Sequence, residues 1–173
     1  MKKLILPAVI VLFTSLSAFA FFANWKVKAD AAEVTFEGHR VSGSFTGLKA
    51  EIVFDKDHPE AAKISATIDV TTASTGFFIK TSHVKSALGA DDYPTIKFES
   101  TSVAKSGSGY IANGKLTMKG KTNPEAIHFT FDEKGSEGTF KGDFKVVPAK
   151  YGIDRNGTPP EVTIHLSVPV SKG

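Results

Sequence analysis

Along most of this chain, apolar and polar residues alternate one for one. Leu48, Ala50, Ile52 and Phe54 interleave with Lys49, Glu51, Val53 and Asp55, and Ile64, Ala66, Ile68 and Val70 with Lys63, Ser65, Thr67 and Asp69. Successive side chains of a strand point to opposite faces, so period two with one apolar phase marks a half-buried antiparallel strand. The pattern begins at Trp25 and Val27, resumes at Val34 and Phe36, and continues through Val41 and Phe45. It returns at Ile96 and Phe98, Tyr110 to Met118, Ile127 to Phe131, Phe140 to Val146, and Val162 to Val170. Turn residues separate the runs: Gly38-His39, Asp55 to Glu60, Ser106 to Gly109, Lys119 to Pro124, and Gly135 to Gly138. Pro169 predicts an edge or a strand end, because proline cannot donate to a ladder. Eight or nine strands at this spacing predict one all-β domain, either a sandwich or a barrel.

The alternation stops once, between Thr75 and Ser100. Gly76 opens an apolar triplet, Phe77-Phe78-Ile79, which in strand geometry would send Phe78 opposite its neighbours. Lys80 to Leu88 carries good helix formers with no Gly or Pro, predicting a short helix over 80–88. Gly89 fits its stop, Asp91-Asp92 a turn, and Pro94 holds Tyr93 extended before a strand begins at Ile96. One helix with an aromatic lip fits a plug at the mouth of a closed sheet. A crossover packed on the end of a sandwich fits it equally.

The inward phase is rich in aromatic residues: Phe36, Phe45, Phe54, Phe98, Phe129, Phe131, Phe140 and Phe144. An eight-stranded barrel has an interior just wide enough to be filled by side chains or to hold one small ligand. Periodicity leaves both outcomes open.

The first twenty residues read as a leader. Lys2 and Lys3 precede an apolar run from Leu4 to Leu16, and Ala18-Phe19-Ala20 supplies a small-x-small cleavage site. Cleavage there predicts an exported chain beginning at Phe21, periplasmic or secreted, with no membrane span. Losing both lysines lowers the basic count from 21 to 19 against 18 acidic residues, a net charge of +1. No basic block remains to hold nucleic acid. With no Cys, an exported protein must draw its stability from burial, and thiol redox chemistry and Cys-ligated metals are excluded.

Local motifs point to no reaction. Gly120-Lys121-Thr122 resembles the end of a phosphate loop, but Lys115 stands where the first Gly is needed. Gly107 to Ala112 loosely fits a dinucleotide fingerprint, yet it opens a strand and offers no helix N-terminus. Asp55-Lys56-Asp57 starts like a calcium loop, with Glu60 in place of the obligatory Gly. His39, His58, His83, His128 and His165 are scattered without ligand spacing, and no nucleophile elbow is present. The expectation is a non-enzymatic protein without metal or cofactor. His83, alone in the irregular stretch, is the one histidine singled out.

With these residues in order, the chain resembles the YceI-like periplasmic lipid- and polyisoprenoid-binding proteins over almost its whole exported length. The resemblance begins at Trp25-x-Val27, Val34-x-Phe36, Gly43-x-Phe45-x-Gly47 and Ile52-x-Phe54-Asp55. It runs through Thr75-Gly76 and His83-Val84-Lys85-Ser86 to Tyr93-Pro94-x-Ile96-x-Phe98-x-Ser100. Gly114-x-Leu116-Thr117-Met118-Lys119-Gly120-x-Thr122-x-Pro124, Tyr151-Gly152-Ile153 and the closing Val162 to Val170 run complete it.

The resemblance implies an antiparallel lipocalin-like barrel of about eight strands with a helical segment near its mouth. It also implies a bound isoprenoid or other long apolar chain as the ligand, needing no cofactor. Lipid contacts are then expected at Phe36, Phe45, Phe54, Ile68, Phe77, Phe78, His83, Phe98, Phe129 and Phe144. A Phe- and Ile-lined tunnel suits such a chain, since each buried methylene contributes ~0.8 kcal/mol without directional bonds. Phe77 and Phe78 are expected to line or gate the entrance, with Lys80 and His83 toward a head group. The alternative is a structural or partner-binding β-domain with a filled core, and a homodimer is left open. The chain departs from the family pattern after Thr75-Gly76, where polar residues and Arg-Asp-x-His are usual and Phe77-Phe78-Ile79-Lys80-Thr81-Ser82-His83 stands instead.

Overall fold

The computed structural model describes residues 23–173, so the leader expected over residues 1–20 lies outside it. Ten strand segments follow the alternation: β1 (Asn24–Val27), β2 (Glu33–Gly38), β3 (Val41–Phe45), β4 (Lys49–Val53) and β5 (Lys63–Asp69), then β6 (Thr95–Ser106), β7 (Gly109–Met118), β8 (Lys121–Lys134), β9 (Glu137–Val146) and β10 (Val162–Lys172). One α-helix, α1 (Phe78–Leu88), stands between β5 and β6. From β4 to β10 each strand pairs with the next, and β1 joins β4 to β10. The result is a closed antiparallel barrel of eight strands, which leaves no room for the sandwich alternative.

The remaining two segments lengthen the barrel at one end. A 3-10 turn at Ala29–Ala31 separates β1 from β2, and both lie along β10. β2 covers Val162 to Ser167 and β1 covers Val170 to Lys172. Pro169 falls between the two pairings. Its carbonyl accepts from the Lys28 N–H at 2.9 Å, so its missing donor faces the break in the neighbouring strand. Pro169 therefore sits inside a strand paired on both sides, and the expected edge is corrected. The turn expected over Lys119 to Pro124 is also shorter. Lys119 and Gly120 both have positive φ, a two-residue hairpin that lets β8 start at Lys121 and places Pro124 opposite Lys115.

At the β1 end the interior is filled by aromatic rings. Phe54 is 1% exposed and stands edge-on to Tyr110, Phe129, Phe131 and Phe140, with centroids 4.9–5.6 Å away. Trp25 adds an edge contact to Phe131 at 4.9 Å, and its indole N–H donates to the Phe54 carbonyl at 3.0 Å. Such edge-to-face pairs set the positive ring edge against the negative ring face. This end is sealed.

The other end is held differently. Among the described residues β3 has only β2 as a strand neighbour. A single bridge, with both Ser44 and Ser74 N–H groups donating across it, ties β3 to the segment before α1. Gly43 makes that approach feasible, because a Cβ there would lie 2.3 Å from the Ser74 carbonyl oxygen and 2.6 Å from the Phe36 ring. Gly43→Ala is expected to cost ~1–3 kcal/mol, the range for forced overpacking, as a lowered urea midpoint. An unchanged midpoint would show that the bridge yields freely. Asp69 supports the same corner by accepting from the Thr71 hydroxyl and N–H, and these bonds hold its carboxyl below the usual range.

Candidate functional site

Toward the β2 end the inward side chains become smaller and no longer meet. β4 and β5 present Ala50 and Ala66 opposite one another, and β7 presents Ala112. Gly114 follows on β7 because the Phe98 ring lies where its Cβ would be. The barrel wall cannot contract to fill the space, since strand number and ladder pairing set its diameter. A cavity of about 650 Å³ remains, a size within the usual range for small-molecule sites. Its wall is almost wholly aliphatic and aromatic, with Ile, Leu, Val and Phe from β2 to β10.

Helix α1 covers part of the mouth. Lys80, His83, Val84, Ala87 and Leu88 all line the cavity, at the spacing that places them on one helical face. The helix starts at Phe78, two residues before the expected boundary, with Phe77 as an extended N-cap residue. It stops at Gly89, whose left-handed backbone (φ 68°) lets its N–H reach the Lys85 and Ser86 carbonyls. Across the mouth, the segment from Ile153 to Pro159 forms the opposite rim. The Arg155 guanidinium donates to the Ser86 hydroxyl at 3.4 Å, linking that rim to the helix. Tyr151 anchors the rim from below. It is fully buried and its phenol donates to Glu125 at 2.8 Å. Burial, reinforced by that carboxylate, pushes the phenol well above its ordinary pKa, so it remains a neutral donor.

The charged side chains on the lining are Arg40, Lys80, Lys141 and Arg155, with His83 beside them, and no Asp or Glu lines the cavity. The site is an apolar tunnel with a basic rim. Among the described residues no three potential metal ligands come together.

Of the residues singled out by sequence, Phe36, Phe45, Ile68, His83, Phe98, Phe129 and Phe144 line this one cavity. Phe54 does not: it lies beneath the cavity, walled off by the rings around it. Phe77 and Phe78 do not line it either. The early helix start turns them away from the barrel, 66% and 88% exposed. Sequence reasoning found Lys80 and His83 on α1 but overlooked Val84, Ala87 and Leu88 beside them, as well as Arg40 and Arg155. The α1 stripe was available as a 3.6-residue period, but Lys80 and His83 interrupt its apolar signal. Arg40 and Arg155 sit in turns, where no periodicity marks them.

The fold and its cavity define a closed β-barrel with an apolar pocket, filled by aromatic rings at one end and hollow toward the other. The chain matches the YceI-like domain over residues 25–171. It belongs to the YceI-like family. A UPF0312 protein of Yersinia pestis (strain Pestoides F) is 29% identical over 146 residues, covering 78% of this chain and 75% of that protein. A second UPF0312 protein, from Photorhabdus laumondii, is 28% identical over 138 residues, covering 73% and 71%. Among solved structures, Burkholderia cenocepacia BcnA superposes with a TM-score of 0.77 at 24% identity, covering 83% of this chain and 99% of that one. A polyisoprenoid-binding domain from Saccharophagus degradans, implicated in plant cell wall breakdown, gives 0.66 at 12% identity, covering 88% and 99%. At these identities the structures establish a shared fold.

Proposed function

We propose that this protein is an exported, non-enzymatic carrier that holds an isoprenoid or similar long apolar chain inside its barrel, with the polar end at the basic rim. The observation that carries this reading is the cavity of about 650 Å³, apolar in its wall and basic at its mouth. A filled core, the alternative from sequence, would leave no such void. The match to the YceI-like domain and the fold shared with a polyisoprenoid-binding domain support the same reading. Burial of a chain in this wall is driven by removing apolar surface from water, ~25 cal/mol per Å², and requires no directional contacts. The carrier needs no catalytic group and no cofactor.

Organic extraction and mass spectrometry of protein purified without detergent tests it. The expected result is one lipid, or a narrow set, with a long apolar chain at near-stoichiometric amounts. Protein that yields no lipid and takes up no apolar fluorophore would overturn the reading. No helix among the described residues is long and apolar enough to cross a membrane. The proposed export is checked by N-terminal sequencing, which should begin at Phe21.

A further inference from the structure

Four large hydrophobic side chains stand exposed among the described residues, and three are consecutive: Phe77 (66%), Phe78 (88%) and Ile79 (68%). They form the leading tip of α1, beyond the part of the helix that lines the cavity. The turn before them is fixed. The Thr75 N–H donates to the Thr81 hydroxyl at 3.0 Å, the two threonine hydroxyls share a 3.1 Å bond, and the Thr75 hydroxyl also reaches the Phe77 carbonyl at 3.1 Å. Gly76, at φ 76° with open space around it, turns the chain outward. The triplet is thus held away from the barrel and cannot fold back to plug it. Whatever covers these side chains comes from outside the described residues.

We propose that Phe77, Phe78 and Ile79 form a wedge that docks the cavity mouth on an anionic phospholipid bilayer. Three observations select a bilayer over a protein. The tip is continuous with the mouth: Lys80 lines the cavity while its ammonium sits 5.4 Å above the Phe77 ring. The rim around it is basic, with Arg40, Lys80 and Arg155 and no lining carboxylate, which complements lipid head groups. Asp154 and Glu161 flank the rim without lining the cavity, and Glu161 is paired with Lys145 at 2.7 Å. Finally, two Phe and one Ile offer too little surface for a stable dimer. An aromatic buries ~150–250 Å², against the ~800 Å² per partner of a standard interface. Insertion of a few apolar side chains beside a basic patch is how a protein lies on a membrane without spanning it. The inference rests on the carrier reading, because a mouth docked on a bilayer lets an insoluble chain pass between barrel and membrane without crossing water.

Flotation with vesicles of phosphatidylethanolamine and phosphatidylglycerol tests the wedge. Wild-type protein should float with them, and less with pure phosphatidylcholine. The triple variant F77S/F78S/I79S should lose about tenfold or more in partitioning. Its melting temperature and its uptake of lipid delivered from detergent should stay as in the wild type, because none of the three lines the cavity. Lys80→Gln should weaken binding roughly fivefold and flatten its salt dependence. Phe78→Trp should show blue-shifted emission quenched by brominated acyl chains. The native Trp25, 3% exposed at the sealed end, provides an unquenched reference. A triple variant that floats like the wild type, or Phe78→Trp fluorescence indifferent to brominated lipid, would overturn the proposal. So would a shift from dimer to monomer in the triple variant with flotation unchanged, which would assign the tip to a second copy. Protein that carries lipid but ignores vesicles defeats the wedge alone. Protein that floats but never holds a chain defeats the carrier reading.

Discussion

A barrel carrying Phe in place of both Ala50 and Ala66 is expected to fold normally and to hold almost no lipid. These alanines face each other across the β4–β5 ladder, and both line the cavity. Ala66 also pairs with Phe98 on β6, so a ring at residue 66 would have an aromatic neighbour at once. In a dense core, added volume costs ~1–3 kcal/mol through displaced side chains and backbone. Here the rings would enter a space of about 650 Å³ that already exists, so that cost is largely absent. Each ring brings roughly 150–250 Å² of apolar surface into contact with wall that is otherwise left to a ligand. Lipid per protein, read by mass spectrometry, should fall by on the order of tenfold or more, while the melting temperature holds or rises. If the double variant carries as much lipid as the wild type, the chain lies somewhere other than this cavity.

Phe54→Ala is expected to do the opposite, destabilising the barrel by about 3–5 kcal/mol. Phe54 touches four other rings at the sealed end and is 1% exposed, so truncation leaves a hole that ladder-held strands cannot close. Its carbonyl also takes the Trp25 indole N–H, joining the two ends of the β1–β4 corner. A large drop in urea midpoint is the expected reading, with lipid capacity retained by whatever fraction stays folded. A loss below about 1 kcal/mol would mean that the neighbouring rings collapse into the space. Together the two experiments separate residues that hold the fold from residues that hold the ligand. Sequence had grouped Phe54 with the ligand-lining set.

That grouping shows where one-dimensional reading stops. Alternation assigns Phe54 and Phe98 to the same inward phase, and in the barrel both do point inward. Period two reports which face a side chain is on. It carries no information about height along the barrel axis, and height decides between plug and pocket. The same limit hid the exposure of Phe77 and Phe78. Three apolar residues in a row fit strand, helix or turn, and only the Thr75–Thr81 hydrogen bonds and the helix start at Phe78 orient them.

Local residue pattern was enough to place most of the strands, the hairpin loop over Ser106 to Gly109, the helix stop at Gly89 and the all-β class. Each rests on interactions within a few residues or on the alternation of one face. Closure of the ring was decided by β1 bridging β4 and β10, and its pairing with β10 joins residues more than a hundred positions apart. So were the cavity, set by how far opposed walls stand from one another, and the basic rim, assembled from Arg40, Lys80 and Arg155. Those features depend on distances between segments, and such distances exist only once the chain has folded.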